Sequence, residues 1–359
     1  MRHGIAESFF AVRLRHVCAP DIGGTAGALN WLNACRVTFP ALVPARMSDE
    51  KADSWLRPAF DAVAIDDEGR ACRDIPERAC REEAGNFFRH VGSLALSKSA
   101  DGLIDPKLVL SWLLLQLGAP AAFVGLLVPI REAGALLPQL FSAGALRRLP
   151  QRKWAWAVGA AVQGLSALVI AFTALSLEGQ LAGLVILAAL TVLALARSVC
   201  SVCYKDVLGK TVDKSRRGTA TGLAGTIASV TVIVFAGLLA TGIVERLSLV
   251  TIALFLAGFA WMAGAALFTT LREAPGATDG GKSAISAAME NLAYLKREPQ
   301  LRRFILVRSL LTATALAPPF MIATAQTDSG LPLGALVLAS ALAGLSSSYV
   351  WGRLSDRSS

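Results

Sequence analysis

Four stretches of this chain, residues 154–176, 218–244, 247–271 and 331–352, contain no charged side chain. Each exceeds the ~20 apolar residues that cross a bilayer as a helix. Two more, 180–204 and 304–326, hold one arginine each, Arg197 and Arg308. Inside lipid every backbone polar group must be bonded within the structure, so such runs are helices or strands of a closed barrel. Their length and lack of two-residue alternation exclude the barrel. Hydrophobic residues make up 54% of the 359, above the roughly 45–50% of a soluble domain. The chain reads as an all-α protein of the lipid bilayer.

The formal charge of +9 is a matter of topology. Arg147, Arg148, Arg152 and Lys153 fall in one loop between runs, and Lys205, Lys210, Lys214, Arg216 and Arg217 in another. A longer loop carries Arg272, Lys282, Lys296, Arg297, Arg302 and Arg303, while the loops between these are nearly bare of charge. Basic loops on alternate sides follow the positive-inside rule, which makes them cytoplasmic and removes any need for a nucleic-acid partner. A bacterial inner membrane is the expected location. Cys18, Cys35, Cys72 and Cys80 precede the spans on the cytosolic side, where disulfides rarely persist. Cys200 and Cys203 form C-x-x-C inside a membrane helix and read as packing residues. No metal set and no cofactor is expected.

Residues 1–85 form a cytoplasmic extension without a span or a signal peptide. Residues 1–46 show little periodicity, and translation is expected to begin at Met47, ahead of a charged helical stretch over 48–64. The alternative is a genuine disordered extension. Between Asn86 and Leu146, Gly118, Ala119 and Pro120 interrupt the longest uncharged run, so two helices are expected, 90–115 and 119–146. The total is eight spans with the N-terminus inside. They divide into a six-helix bundle over 86–271, a cytoplasmic linker over 272–303 with a surface helix at 283–296, and two further helices over 304–359.

At the end of the eighth span Gly352, Leu354, Ser355, Asp356 and Arg357 resemble the G-x-L-[SA]-D-R loop signature of the major facilitator superfamily. After the second span the matching stretch keeps Gly144, Leu146 and the basic pair Arg152 and Lys153, but Arg148 stands where the family has aspartate. Any gating salt bridge of that aspartate is therefore in question. Arg197 resembles the arginine of the family's fourth-helix motif, with Cys200 and Ser201 replacing the usual glycine neighbourhood. Gly218, Gly222, Gly225, Gly237 and Gly242 occur without the proline of the antiporter motif, which disfavours the drug-antiporter subgroup. The resemblance covers 86–359 and implies an MFS-like helical bundle, with a complete first half and the first two helices of a second. Family members usually have twelve spans, so a truncated product is expected.

A charge at mid-membrane costs at least ~2.5–3.5 kcal/mol and normally faces a cavity or a partner. Lys98, Asp101 and Asp105 recur at helical spacing on one face of the first span. Either they line a pathway, with an aspartate taking up a proton and Lys98 as counter-ion, or a Lys98–Asp101 pair lets the helix insert. Arg131 and Glu132 lie near the middle of the second span and point ~100° apart, so one of them is expected to meet this stripe. Arg197 and Arg308 are expected near cytoplasmic helix ends, where long side chains snorkel. Small residues at Gly159, Ala160, Ala161, Gly218, Gly222 and Gly225 read as packing contacts.

The resemblance implies alternating-access transport of a small-molecule solute, with Lys98, Asp101, Asp105 and Arg197 as candidates for substrate pathway or proton coupling. Arg131 and Glu132 join them through their charge at mid-membrane depth, as coupling groups or as parts of a structural network. Arg308 is a more remote candidate. No phosphate-loop motif is present for ATP use, and no enzymatic activity is expected. Two alternatives stay open: a non-transporting remnant or sensor, and an intramembrane enzyme. The enzyme is disfavoured because His90 is the only histidine near a span.

Overall fold

The computed structural model describes residues 49–63, 75–136, 138–139, 146, 148–276, 297–328 and 333–358, all within one unit, Ser48–Ser359. Residues 1–46, Gly144 and the surface helix expected at 283–296 lie outside the described residues. Among the described residues the protein is all helix: α1 Asp49–Val63, α2 Glu77–Arg81, α3 Glu83–Ile104, α4 Val109–Gln116, α5 Ala121–Leu136, α6 Lys153–Ser176, α7 Gly179–Thr211, α8 Lys214–Thr241, α9 Arg246–Thr269, α10 Pro299–Ala313, α11 Ala317–Asp328 and α12 Leu333–Ser358.

Four of these, α6 to α9, are long and apolar enough to cross a membrane; α6, α8 and α9 coincide with three of the four uncharged runs, and α7 with the run that holds Arg197. In space α5 lies against α7, α7 against α6, α6 against α9, α9 against α3, α3 against α8 and α8 against α12. The α6–α9 seam is close because Gly164 and Gly258 face each other: a Cβ on Gly164 would stand 2.8 Å from the Gly258 carbonyl oxygen. Close backbone approach of this kind is how membrane helices associate without a hydrophobic drive between them. The outer side of α6 presents Val158, Leu165, Val169, Phe172 and Leu175 exposed, a continuous apolar stripe that only acyl chains can cover at no hydration cost. This is an all-α integral membrane bundle.

Two expected helices are interrupted. The first, expected over 90–115, begins earlier, at Glu83, and stops at Ile104. Pro106 disfavours helical geometry at the residue before it, and Asp105 is accordingly at φ −22°, ψ 111°. Its carboxylate Oδ1 accepts the Lys107 amide at 2.7 Å, so Asp105 caps a kink instead of extending the stripe of Lys98 and Asp101. The seventh, expected over 304–326, divides into α10, a 3₁₀ turn at Thr314–Leu316, and α11. Pro318 and Pro319 lack the amide hydrogens that would continue the α-helical ladder there. A further difference is at Cys80, which is disulfide-bonded.

The turn expected at Gly118–Pro120 separates α4 from α5, with Gly118 at φ +71°. Beside it the Gly179 amide donates to the Leu117 carbonyl at 2.6 Å, tying this turn to the one between α6 and α7. The left-handed conformation at Gly118 costs a Cβ-bearing residue roughly 1–2 kcal/mol, although a Cβ there would meet nothing within 4 Å. Gly118→Ala should therefore lower stability by about that amount, read as equilibrium unfolding in detergent. An unchanged midpoint would mean the turn relaxes freely.

Candidate functional site

Asp101 is the centre of a charge cluster drawn from three helices. It lies on α3, and its Oδ1 accepts Arg131 Nη2 of α5 at 2.5 Å, while its Oδ2 accepts Arg197 Nη1 of α7. The Asp101 side chain is 17% exposed and that of Arg131 12%, with Arg197 more open at 33%. The approach depends on a small residue: a Cβ on Gly134, one turn beyond Arg131, would lie 2.8 Å from Ala194 Cβ of α7. Arg197 stands near the middle of α7, because that helix runs on to Thr211. It reaches inward to Asp101 instead of snorkelling to a helix end.

The other charges sort around this centre. Lys98 does not pair with Asp101. Its Nζ donates to the Thr221 carbonyl of α8 at 3.2 Å. Glu132 faces away from Arg131's partner and lies 3.7 Å from Lys107. Asp105 and Lys107 border a cavity of about 150 Å³ shared with Met321 and Ile322 of α11. A larger cavity, about 500 Å³, lies between α8 and α12 and is lined by Lys98, Thr221, Gly225, Thr226, Ser229 and Ala341 among others. Gly218 and Gly222 have nothing within 4 Å of where a Cβ would stand. These glycines hollow out the cavity and are not packing contacts. Gly159, by contrast, is packed against Ala196 and Cys200 of α7.

A second polar layer closes the end of the bundle that holds the basic loops. Along α7, Asp206 lies ~13 Å beyond Arg197 at 1.5 Å per residue. Asp206 forms ion pairs with Arg152 and, at 2.6 Å, with Lys210. The Glu273 carboxylate, fully buried, accepts Lys210 Nζ at 3.1 Å and the backbone amides of Arg152 at 3.1 Å and Lys153 at 2.8 Å. Those amides open α6, where unpaired N–H groups and the helix dipole both favour an anion. Lys153 Nζ in turn donates to the carbonyls of Thr269 and Leu271 that end α9. Glu83 of α3 pairs with Arg216 of α8 at 2.9 Å, and Asn86 makes two bonds to the Arg272 backbone. Five helices are thus fastened at one end.

A sequence model of the Major Facilitator Superfamily matches residues 94–359. The chain belongs to the major facilitator superfamily. It is therefore a membrane transporter, from a family that binds small-molecule solutes and is not enzymatic. No curated protein and no solved structure matches it.

Of the loop-signature residues in this superfamily member, Arg148 is exposed and has no ion partner among the described residues. Arg152 and Lys153 are the anchoring pair just described. Gly352, Asp356 and Arg357 fall in the closing turns of α12, and Arg308 is exposed on α10. Sequence reading missed the carboxylates that Arg152, Lys153 and Lys210 use. Asp206 and Lys210 are an i, i+4 pair on α7, a signal available in the sequence. Glu273 follows Arg272 in a loop read only for its positive charge. Among the described residues no group of histidine, cysteine and acidic side chains is placed to hold a metal.

Proposed function

We propose that this transporter carries a small solute by alternating access and couples its movement to protons through Asp101. The observation behind the reading is one carboxylate shared by two guanidinium groups from two other helices. Protonating Asp101 removes the charge that holds both arginines, so α5 and α7 lose their ties to α3 in one step. A bistable packing arrangement whose balance one proton shifts is the device that a coupled transporter needs. The buried layer around Glu273 and Asp206 supplies the opposite requirement, a closed end that holds while the centre changes. Arg131 and Arg197 are the coupling partners, and Lys98 faces the solute cavity. Asp105 and Glu132, held to the Lys107 region, form the far boundary of the pathway.

The test uses the full chain in proteoliposomes with a pH-sensitive dye inside and an imposed pH gradient. Solutes of different classes are added one at a time. At least one solute should move protons with it, and its accumulation should collapse with a protonophore. Accumulation indifferent to the gradient, without dye response, would leave Asp101 with a structural role only.

A further inference from the structure

We infer that the α8–α12 cavity receives a solute bearing a carboxylate or phosphate oxyanion, held by the Lys98 ammonium; the inference rests on the transport reading above and names its substrate class. Around Asp101, the described charges of the second half of α3, the kink that follows it, α5 and the middle of α7 are four cations, Lys98, Lys107, Arg131 and Arg197, and three carboxylates, Asp101, Asp105 and Glu132. Each carboxylate is engaged. Asp101 serves both arginines, Glu132 lies against Lys107, and Asp105 accepts the Lys107 amide. Lys98 is the one of the four cations with no carboxylate in ion-pair or hydrogen-bond contact among the described residues, and its one bond is to a neutral carbonyl. It is also the one of the four that lines the 500 Å³ cavity.

An unneutralised ammonium at this depth is costly unless something of opposite charge answers it. The remaining wall suits that ligand. Thr226 and Ser229 donate their hydroxyl hydrogens to the Gly222 and Gly225 carbonyls of their own helix, and a hydroxyl rotor can turn such a hydrogen toward a bound oxyanion. Across the cavity Ala341 and Leu345 add apolar surface, and among the described residues no acidic side chain lines it. A cationic solute finds only repulsion there. A neutral one leaves Lys98 uncompensated.

The experiment measures binding and uptake separately on the full chain. Succinate, glycerol 3-phosphate, glucose and tetraethylammonium are each tested for a shift of the thermal unfolding midpoint in detergent and for uptake into proteoliposomes. The two anions distinguish carboxylate from phosphate. At least one should raise the midpoint in the wild type and in Lys98→Arg. Lys98→Gln should weaken that anion about tenfold or more, the loss of a charge-assisted bond. Should Lys98→Gln not fold, Gly222→Leu takes its place, since it fills the cavity where a Cβ meets nothing and should abolish the shift. A midpoint moved by glucose or tetraethylammonium alone, by no compound, or by an anion equally in Lys98→Gln overturns the inference. Anion binding without uptake of any compound overturns the transport reading and keeps the site. Uptake confined to glucose keeps transport and removes the oxyanion.

Discussion

Asp101→Asn should reduce gradient-driven uptake to background and destabilise the bundle at the same time. The amide keeps the shape of the side chain but loses the charge that two guanidiniums share. Removing one partner of a buried ion pair typically costs about 3–5 kcal/mol, because the remaining charge stays desolvated. That range applies to the Arg131 limb, where both side chains are under a fifth exposed. The Arg197 limb, at 33% exposure, adds less because solvent screens it. Asp101→Glu keeps the charge and should keep part of both properties. Adding Arg131→Gln to Asp101→Asn removes the stranded cation and should recover stability without recovering uptake, a non-additivity that a double-mutant cycle measures. Full proton-linked accumulation by Asp101→Asn at unchanged stability would eliminate the coupling role.

Glu273→Ala should produce a comparable loss of stability with a different signature. Its carboxylate has no exposed surface and accepts three hydrogens, two from the opening amides of α6 and one from Lys210. The cost is again about 3–5 kcal/mol, since Lys210 loses one of its two counter-charges and the opening amides of α6 lose the carboxylate that accepts them. Glu273→Gln keeps one acceptor oxygen and should fall between. Hydrogen exchange at the Arg152 and Lys153 amides reads the effect locally, and both should become fast in Glu273→Ala while amides deep in α6 stay protected. Slow exchange at both positions in the variant would show that another group caps this helix.

Much of the bundle is legible in the sequence because lipid imposes a simple condition: a run of ~20 apolar residues must be a helix. Helices α6 to α9 follow from it directly. The kink at Asp105 did not, because placing Lys98, Asp101 and Asp105 on one face assumed an unbroken helix past Pro106. The partners of Asp101 come from 30 and 96 residues further along the chain, and no hydropathy window contains such pairings. Glycines spaced along α8 read equally as a packing seam or as a hollow. Only the placement of α12 across from them decides for the hollow.

The Glu273 contact has a consequence for how the molecule is made. Its carboxylate stands 120 residues downstream of the Lys153 amide that it accepts. A ribosome releases the opening turn of α6 long before it releases this acid. Until α9 is threaded into the membrane, that turn must rely on water or lipid headgroups. Nascent chains arrested before residue 273 should therefore hold α6 less firmly than chains arrested after it, and assembly of this end of the bundle is a late event set by chain order.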